Sequence, residues 1–106
     1  MKRGDLVTIA VSGDYGKPRP ALVVQADVFD LHPSVIVLPL TSEIHDAPLF
    51  RVSVGAGKET GLRAPAQVMV DKATTVPRAK IGPRMGRVNS STMQAVNQAL
   101  RGFLEL

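Results

Sequence analysis

The sequence contains no cysteine and no tryptophan, and it has only two histidines among its 106 residues. The absence of cysteine excludes disulfides, a thiolate metal site and a cysteine nucleophile. The histidines, His32 and His45, lie thirteen residues apart without the spacing of metal ligands, so we expect neither a metal nor a cofactor. Apolar runs reach only four to six residues, too few for a membrane-spanning helix. We therefore expect a single cytoplasmic domain over residues 1–106 that does not contact a membrane.

Positive charge is abundant and unevenly distributed. Thirteen lysines and arginines exceed nine aspartates and glutamates, which gives a net charge of +4. Residues 1–53 carry five basic and six acidic groups, whereas residues 54–106 carry eight and three. The segment 72–87 contains five basic residues and no carboxylate. Such a segment indicates an anionic partner, nucleic acid first, although a solvated face that aids solubility explains it equally well.

Short alternating apolar segments, separated by proline and glycine, are typical of a small all-β domain. Val7, Ile9 and Val11 share one face of a first predicted strand, and a loop is predicted at 14–18. Residues 21–24 are apolar on both faces, which predicts a central strand covered on both sides. Further strands are predicted at 35–41 and 50–54, and another at 67–71.

The last segment of the sequence changes its period. Met93, Val96 and Leu100 recur at spacings of three and four residues, which predicts an amphipathic helix. Ser91 and Gln94 predict a capping box at its start. The predicted fold is therefore mainly β, with five or six short strands in a small, partly open barrel and a C-terminal helix packed on it.

Polar side chains gather at the ends of the predicted strands and form the candidate site. Arg19 lies between Pro18 and Pro20, which restrict the backbone around it. Arg19 caps the sheet edge in the simplest interpretation, and the Thr41 hydroxyl satisfies a turn; both interpretations remain open. The other members of the set are Lys17, Ser42, Glu43, Asp71 and Lys72.

Four motifs, in order and at similar separations, resemble the MazF/PemK/Kid family of toxins from type II toxin–antitoxin systems. The first two are residues 2–7 (KRGDLV) with 17–24 (KPRPALVV), and 38–42 (LPLTS). The third comprises 61–62 (GL), 67–71 (QVMVD) and 74–76 (TTV), and the fourth is 85–88 (MGRV) before the helix. The resemblance covers essentially the whole chain.

The resemblance implies a small SH3-like barrel of the CcdB/PemK type, with five to seven short strands, that forms a homodimer. It further implies a metal-independent, sequence-selective endoribonuclease (an mRNA interferase) that cleaves single-stranded RNA. In this family the 2′-hydroxyl attacks the phosphate, leaving a 2′,3′-cyclic phosphate and a 5′-hydroxyl. A cognate antitoxin with an acidic C-terminal segment neutralises the toxin, and DNA is bound only indirectly, through the antitoxin.

The resemblance assigns catalysis to Arg19, Thr41 and Asp71. Some relatives carry an arginine two residues before this acid, where the present sequence has Met69. We also predict that the basic segment forms one surface that receives both the RNA backbone and the antitoxin. The expected RNA-binding residues are Lys17, Ser42, Glu43, Lys72, Arg78 and Lys80.

Two alternative functions remain open from the sequence. The first is a gyrase-poisoning toxin like CcdB, which shares the expected fold but depends on a C-terminal tryptophan that this sequence lacks. The second is a barrel that binds RNA or an antitoxin with weak catalysis, an alternative that Met69 keeps open. Cleavage of a defined RNA, inhibition of supercoiling, or binding without cleavage distinguishes the three functions.

Overall fold

The computed structural model describes residues 1–10 and 17–106 as a mainly β chain that ends in a helix. The end of the first predicted strand at Val11 and most of the predicted loop at 14–18 lie outside these residues. Within them are seven strands, one α-helix and three single-turn 3-10 helices. The strands are β1 (Asp5–Ala10), β2 (Pro18–Val23), β3 (Ser34–Thr41), β4 (Arg51–Val54), β5 (Ala66–Met69), β6 (Thr74–Pro77) and β7 (Ile81–Arg87). The α-helix, α1, covers Ser90–Leu104, and the 3-10 turns cover Asp27–Phe29, Val70–Lys72 and Arg78–Lys80.

The seven strands pair antiparallel in one sheet: six follow the order β4-β5-β3-β2-β1-β7, and β6 pairs with β3 outside this order. The long central strand β3 has three partners, because β2 pairs along one side while β6 and β5 share the other. β6 pairs with the first half of β3, and β5 pairs with its last two residues, Leu40 and Thr41. The end of β3 therefore lies between the start of β2 and the start of β5.

Both faces of the central strands are buried. Successive side chains of a strand point to opposite faces, so Leu6, Leu22 and Leu38 enter a core beneath α1. Val7 and Ile9 enter a second core on the other face. The prediction of a strand covered on both sides at 21–24 is confirmed for 21–23, with Ala21 in the second core and Leu22 in the first, and β2 ends at Val23.

The fifth strand is shorter than the sequence predicts. Val68 and Val70 are buried as expected, but the extended backbone ends at Met69 and a 3-10 turn follows. Asp71 consequently lies in this turn and not at the end of a strand. Gln67 was expected on the polar face of the strand, yet it is only 4% exposed.

The predicted C-terminal helix is confirmed, but its predicted cap is wrong. Asn89 is the N-cap residue, because its side-chain oxygen accepts a hydrogen bond of 2.8 Å from the Thr92 N–H. Val96 is fully buried, and Met93 and Leu100 pack partly buried against the same core. No helix within the described residues is long and apolar enough to cross a membrane.

Candidate functional site

Arg19 and Thr41 lie at the same end of two neighbouring antiparallel strands. β2 begins at Pro18 and β3 ends at Thr41, and the register pairs Ala21 with Pro39. Counting two residues further along each strand brings Arg19 level with Thr41, on the face that carries Ala21 and Pro39. Arg19 is exposed and Thr41 is half-buried. This end of the sheet thus carries a guanidinium and a hydroxyl on neighbouring strands, and exposed Lys17 lies two residues before Arg19.

The Thr41 hydroxyl also organises the turn that follows β3. Its Oγ1 accepts a hydrogen bond of 3.1 Å from the Glu43 N–H. The Thr41 hydroxyl therefore satisfies a turn, as the simplest interpretation of the sequence has it, and does so with an oxygen lone pair. Its own O–H remains a donor that a ligand oxygen can use. Ser42 and Glu43 are exposed in the same turn, beside Thr41.

Buried Gln67 fastens the segment that follows Thr41. It lies opposite Thr41 in the register of β3 and β5. Its side-chain amide donates to the His45 carbonyl at 2.8 Å, and its Oε1 accepts from the His45 N–H at 3.0 Å. Sequence reasoning missed this role, because only the pairing of β5 with β3 brings the amide to a backbone twenty-two residues away. Gln67 is a positioning residue for the end of β3.

Asp71 lies further along the sheet than Thr41. β5 starts opposite Thr41 and runs antiparallel to β3, so residues after Gln67 lead away from Thr41. The Asp71 Oδ1 is paired with the Arg51 Nε at 3.2 Å, and the two side chains are only 21% and 11% exposed. The structure therefore joins Asp71 to Arg51, whereas Thr41 bonds to its own turn.

Arg51 places a cation beside Met69 on the neighbouring strand. Arg51 on β4 is the register partner of Met69 on β5. Its guanidinium carbon also lies 5.8 Å from the centre of the Phe50 ring. The only sequence signal for Arg51 is a charged residue in an otherwise alternating strand, and nothing in that pattern identifies Met69 as its neighbour.

The basic segment is spread over several elements, and three of its five cations are bound within the chain. The Arg78 guanidinium donates to the carbonyls of His32 and Phe29, at 2.7 and 3.0 Å, and fastens the turn before β3. Lys72 and Lys80 are exposed on two different 3-10 turns. The two remaining arginines of the segment, Arg84 and Arg87, pair with a carboxylate on β1, which is described next.

Asp5 is the carboxylate that binds two of these arginines. Its Oδ1 lies 3.2 Å from the Arg84 Nε and 2.9 Å from an Arg87 Nη1, and its Oδ2 accepts from the Lys2 N–H at 2.8 Å. Burial alone would raise the pKa of the Asp5 carboxyl, but the backbone N–H and the two guanidiniums hold that pKa below its ordinary value. The acid therefore stays ionised and neutralises part of the basic segment.

Both histidines lie close to backbone groups of the described residues. His32 Nδ1 lies within hydrogen-bond distance of the Ser34 backbone, and His45 is held by its backbone to Gln67. In the part of the chain that the structure describes, no three histidine, aspartate or glutamate side chains are grouped so that they would hold a metal ion.

Comparison with known proteins assigns the chain to a class. Residues 2–104 match the family described as PemK-like, MazF-like toxins of type II toxin–antitoxin systems. Because this match spans nearly the whole chain, the chain belongs to that family. It is a toxin-family protein, and the mainly β fold with a C-terminal helix that the motifs predict is confirmed.

Individual relatives sharpen this class. The chain is 45% identical over 105 residues to the probable endoribonuclease MazF of Mycolicibacterium smegmatis, covering 98% of this chain and 96% of the relative. It is 27% identical to the solved Mycobacterium tuberculosis toxin MazF-mt6, with a TM-score of 0.80 and coverage of 95% and 97%. A mycobacterial endoribonuclease solved with its cognate antitoxin has the same fold, with 24% identity, a TM-score of 0.81, and coverage of 100% and 96%. Relatives of this chain are named as endoribonucleases, which gives the enzyme class.

Proposed function

We propose that this chain is the toxin of a toxin–antitoxin pair and cleaves single-stranded messenger RNA in the cytoplasm, at selected sequences and without a metal ion. The observation that carries the proposal is that Arg19 and Thr41 lie at the same end of neighbouring antiparallel strands. A guanidinium and a hydroxyl donor in one place suit a phosphate group, which accepts several hydrogen bonds and carries negative charge. Membership of a family whose named relatives are endoribonucleases supports RNA as the source of that phosphate.

The proposed reaction is an internal transfer at the phosphate. The ribose 2′-oxygen loses its proton to a base and forms a bond to phosphorus, while the bond from phosphorus to the 5′-oxygen breaks. The leaving 5′-oxygen takes up a proton, so the products are a 2′,3′-cyclic phosphate and a 5′-hydroxyl. Arg19 stabilises the additional negative charge on the phosphate oxygens, and the Thr41 O–H donates to one of them.

Asp71 is best assigned to orientation. One oxygen of its carboxylate, Oδ1, is paired with Arg51, and the second oxygen, Oδ2, can face the substrate. Arg51 and Asp71 together place a fixed, largely buried ion pair beside Met69. We propose that this pair orients a part of the substrate that lies along the sheet from the reacting phosphate, with Arg51 providing the cation that Met69 does not. The other proposed RNA contacts are Lys17, Ser42, Glu43, Lys72 and Lys80. Arg78 contributes through the N–H groups that are not bonded to backbone carbonyls.

The proposed partners are a second copy of this chain and an antitoxin. Three apolar side chains near the end of α1, Phe103, Leu104 and Leu106, are between 51% and 84% exposed, which supports an interface between two copies. The solved antitoxin complex of the same fold supports a separate inhibitory partner. We propose that its acidic C-terminal segment competes with RNA for the basic groups, and that DNA is bound only through it.

The test is cleavage of a long defined RNA in the presence of EDTA, with the 5′ ends of the fragments mapped. We expect discrete cuts with 5′-hydroxyl ends, and a loss of roughly 100- to 1000-fold in rate for Arg19→Ala. Arg63→Ala, which removes an exposed arginine from a loop, is the matched control and should cut at the wild-type rate. Intact RNA with inhibited supercoiling would favour the gyrase-directed alternative, and intact but bound RNA would favour the weakly catalytic one.

A further inference from the structure

A cleft of about 680 Å³ lies at the end of the strands opposite to Arg19 and Thr41. β1 starts at Asp5 and ends at Ala10, and Ala10 pairs with Pro18 beside Arg19. The Asp5 end is therefore about 17 Å along the sheet from the candidate site, at about 3.4 Å per residue. The cleft lies between the turn before β1, the end of β7 and the first half of α1. Its lining includes Arg3, Arg84, Arg87, Met93, Gln94 and Asn97.

Buried Asp5 orients two of the three arginines. Its side chain is 5% exposed, whereas those of Arg84 and Arg87 are 56% and 49% exposed. One carboxylate oxygen pairs with both the Arg84 Nε and the Arg87 Nη1. The other nitrogens of both guanidiniums therefore stay available to a ligand. A guanidinium that is already held in place loses less side-chain entropy when it binds an anion.

Arg3 is held from a different direction. Its Nε donates to the Val24 carbonyl at 2.8 Å, and one of its terminal nitrogens donates to the side-chain oxygen of Asn97 on α1. Three guanidiniums thus surround one cleft, opposed by the buried Asp5 and by exposed Glu59 at the rim. The balance of these five charges is positive.

We propose that this cleft binds the sugar–phosphate backbone of the RNA outside the cleaved sequence, as a second contact that lengthens the RNA footprint. The inference rests on the proposed function, because it takes the substrate to be RNA. Oriented guanidiniums suit phosphate oxygens, and the adjacent Gln94 and Asn97 amides offer donors and acceptors to ribose hydroxyls and base edges. The sugar–phosphate backbone carries one negative charge per nucleotide, so successive phosphates can meet the guanidiniums that line the cleft, and RNA is the favoured occupant.

The test adds one negative charge to the cleft without disturbing Asp5. Gln94→Glu changes an exposed helical residue that lines the cleft. Gln98→Glu is the matched control, because it makes the same charge change one turn along the same helix, at an exposed residue that lines a different groove. Affinity is measured for two RNAs made uncleavable by a 2′-O-methyl group at the cut. The short RNA covers only the cleaved sequence, and the long RNA extends beyond it on both sides.

We expect Gln94→Glu to weaken binding of the long RNA by roughly three- to tenfold relative to Gln98→Glu, and to reduce the salt dependence of that binding. Binding of the short RNA should be equal for the two variants. Arg84→Gln should produce the same pattern, with far-ultraviolet circular dichroism confirming that it is folded.

Two results would overturn the inference. In the first, the cleft charge has no specific effect: either both charge variants bind the long RNA equally, or binding of the short RNA is weakened as much as binding of the long one. In the second, Gln94→Glu weakens binding of the antitoxin but not of the long RNA, which would assign the cleft to a peptide. The proposed function is judged separately by cleavage with the wild-type chain, so a failure of the cleft inference is distinguishable from a failure of the proposed function.

Discussion

At the scale of single residues, the chain assembles its site from side chains that are distant in sequence. Arg51 and Asp71 are twenty residues apart, and Gln67 and His45 are twenty-two apart, yet both pairs are joined by hydrogen bonds. The family resemblance predicts Arg19, Thr41 and Asp71 as site residues. Arg51 was not predicted, because its position opposite Met69 follows from strand register and not from any local pattern.

Exchanging Arg51 and Met69 tests whether a cation is needed at this point of the sheet. Arg51→Met should lower kcat by about tenfold, because Asp71 loses its guanidinium partner in a largely buried place. Adding Met69→Arg to that variant moves the cation to the register partner and should recover most of the lost activity. Both variants are measured for kcat and KM on the same RNA. If the double variant is as slow as Arg51→Met while remaining equally stable, the orienting role is wrong.

Gln67 provides a second test at this scale. Gln67→Ala removes both hydrogen bonds to His45, so two backbone groups beside the end of β3 lose their partner. We expect the free energy of unfolding to fall by about 1–3 kcal/mol. We also expect the fold-change in kcat to be larger than the fold-change in KM. Urea unfolding and RNA cleavage measure the two effects. Gln98→Ala, at an exposed helical residue, should change neither quantity, and wild-type kcat in Gln67→Ala would show that Thr41 needs no such support.

At the scale of elements, the apolar pattern predicted the strands and the helix that bury one face or both faces. It failed where the backbone is irregular. The apolar residues of β3 and α1 predicted these elements close to their observed bounds. β6 and β7 were not predicted as separate strands, because proline and basic residues interrupt their apolar pattern and β7 shifts register twice against β1. The shortening of β5 was also missed, since a 3-10 turn keeps Val70 buried just as a strand would.

Asp5 joins β1 to β7, and its ionisation should contribute to stability. Its pKa is held below the ordinary value of 3.8, so the stabilisation is present above that value and is lost as the pH falls through the lowered pKa. At neutral pH, Asp5→Asn should reduce the free energy of unfolding by about 1–3 kcal/mol.

The pH dependence of unfolding is the measurement that checks the role of Asp5. The difference between wild type and Asp5→Asn should shrink as the pH drops through the acid range, because the wild-type carboxyl becomes protonated and uncharged. Asp46→Asn, at an exposed aspartate, should match wild type throughout. A difference that stays constant down to low pH would mean that the charge of Asp5 does not stabilise the fold.

At the scale of the whole molecule, the fold itself binds three of the five cations that the sequence places in one basic segment. The net charge of +4 and the carboxylate-free stretch at 72–87 correctly indicated an excess of cations. Composition does not reveal that Asp5 neutralises part of that stretch, because Asp5 lies some eighty residues earlier in the chain. It likewise does not reveal that Arg19 and Thr41 lie at the same end of neighbouring strands, which follows from the antiparallel pairing of β2 with β3.

The most direct test of the central claim is cleavage of an RNA that carries a single 2′-deoxy nucleotide at the cut. If Arg19 and Thr41 promote attack by the 2′-hydroxyl, the wild-type chain in EDTA will cleave the all-ribose RNA and leave the substituted RNA intact but bound. Arg19→Ala and Thr41→Val should cleave the all-ribose RNA far more slowly. Cleavage of the 2′-deoxy RNA at the same position, or wild-type rates in both variants, would contradict the account.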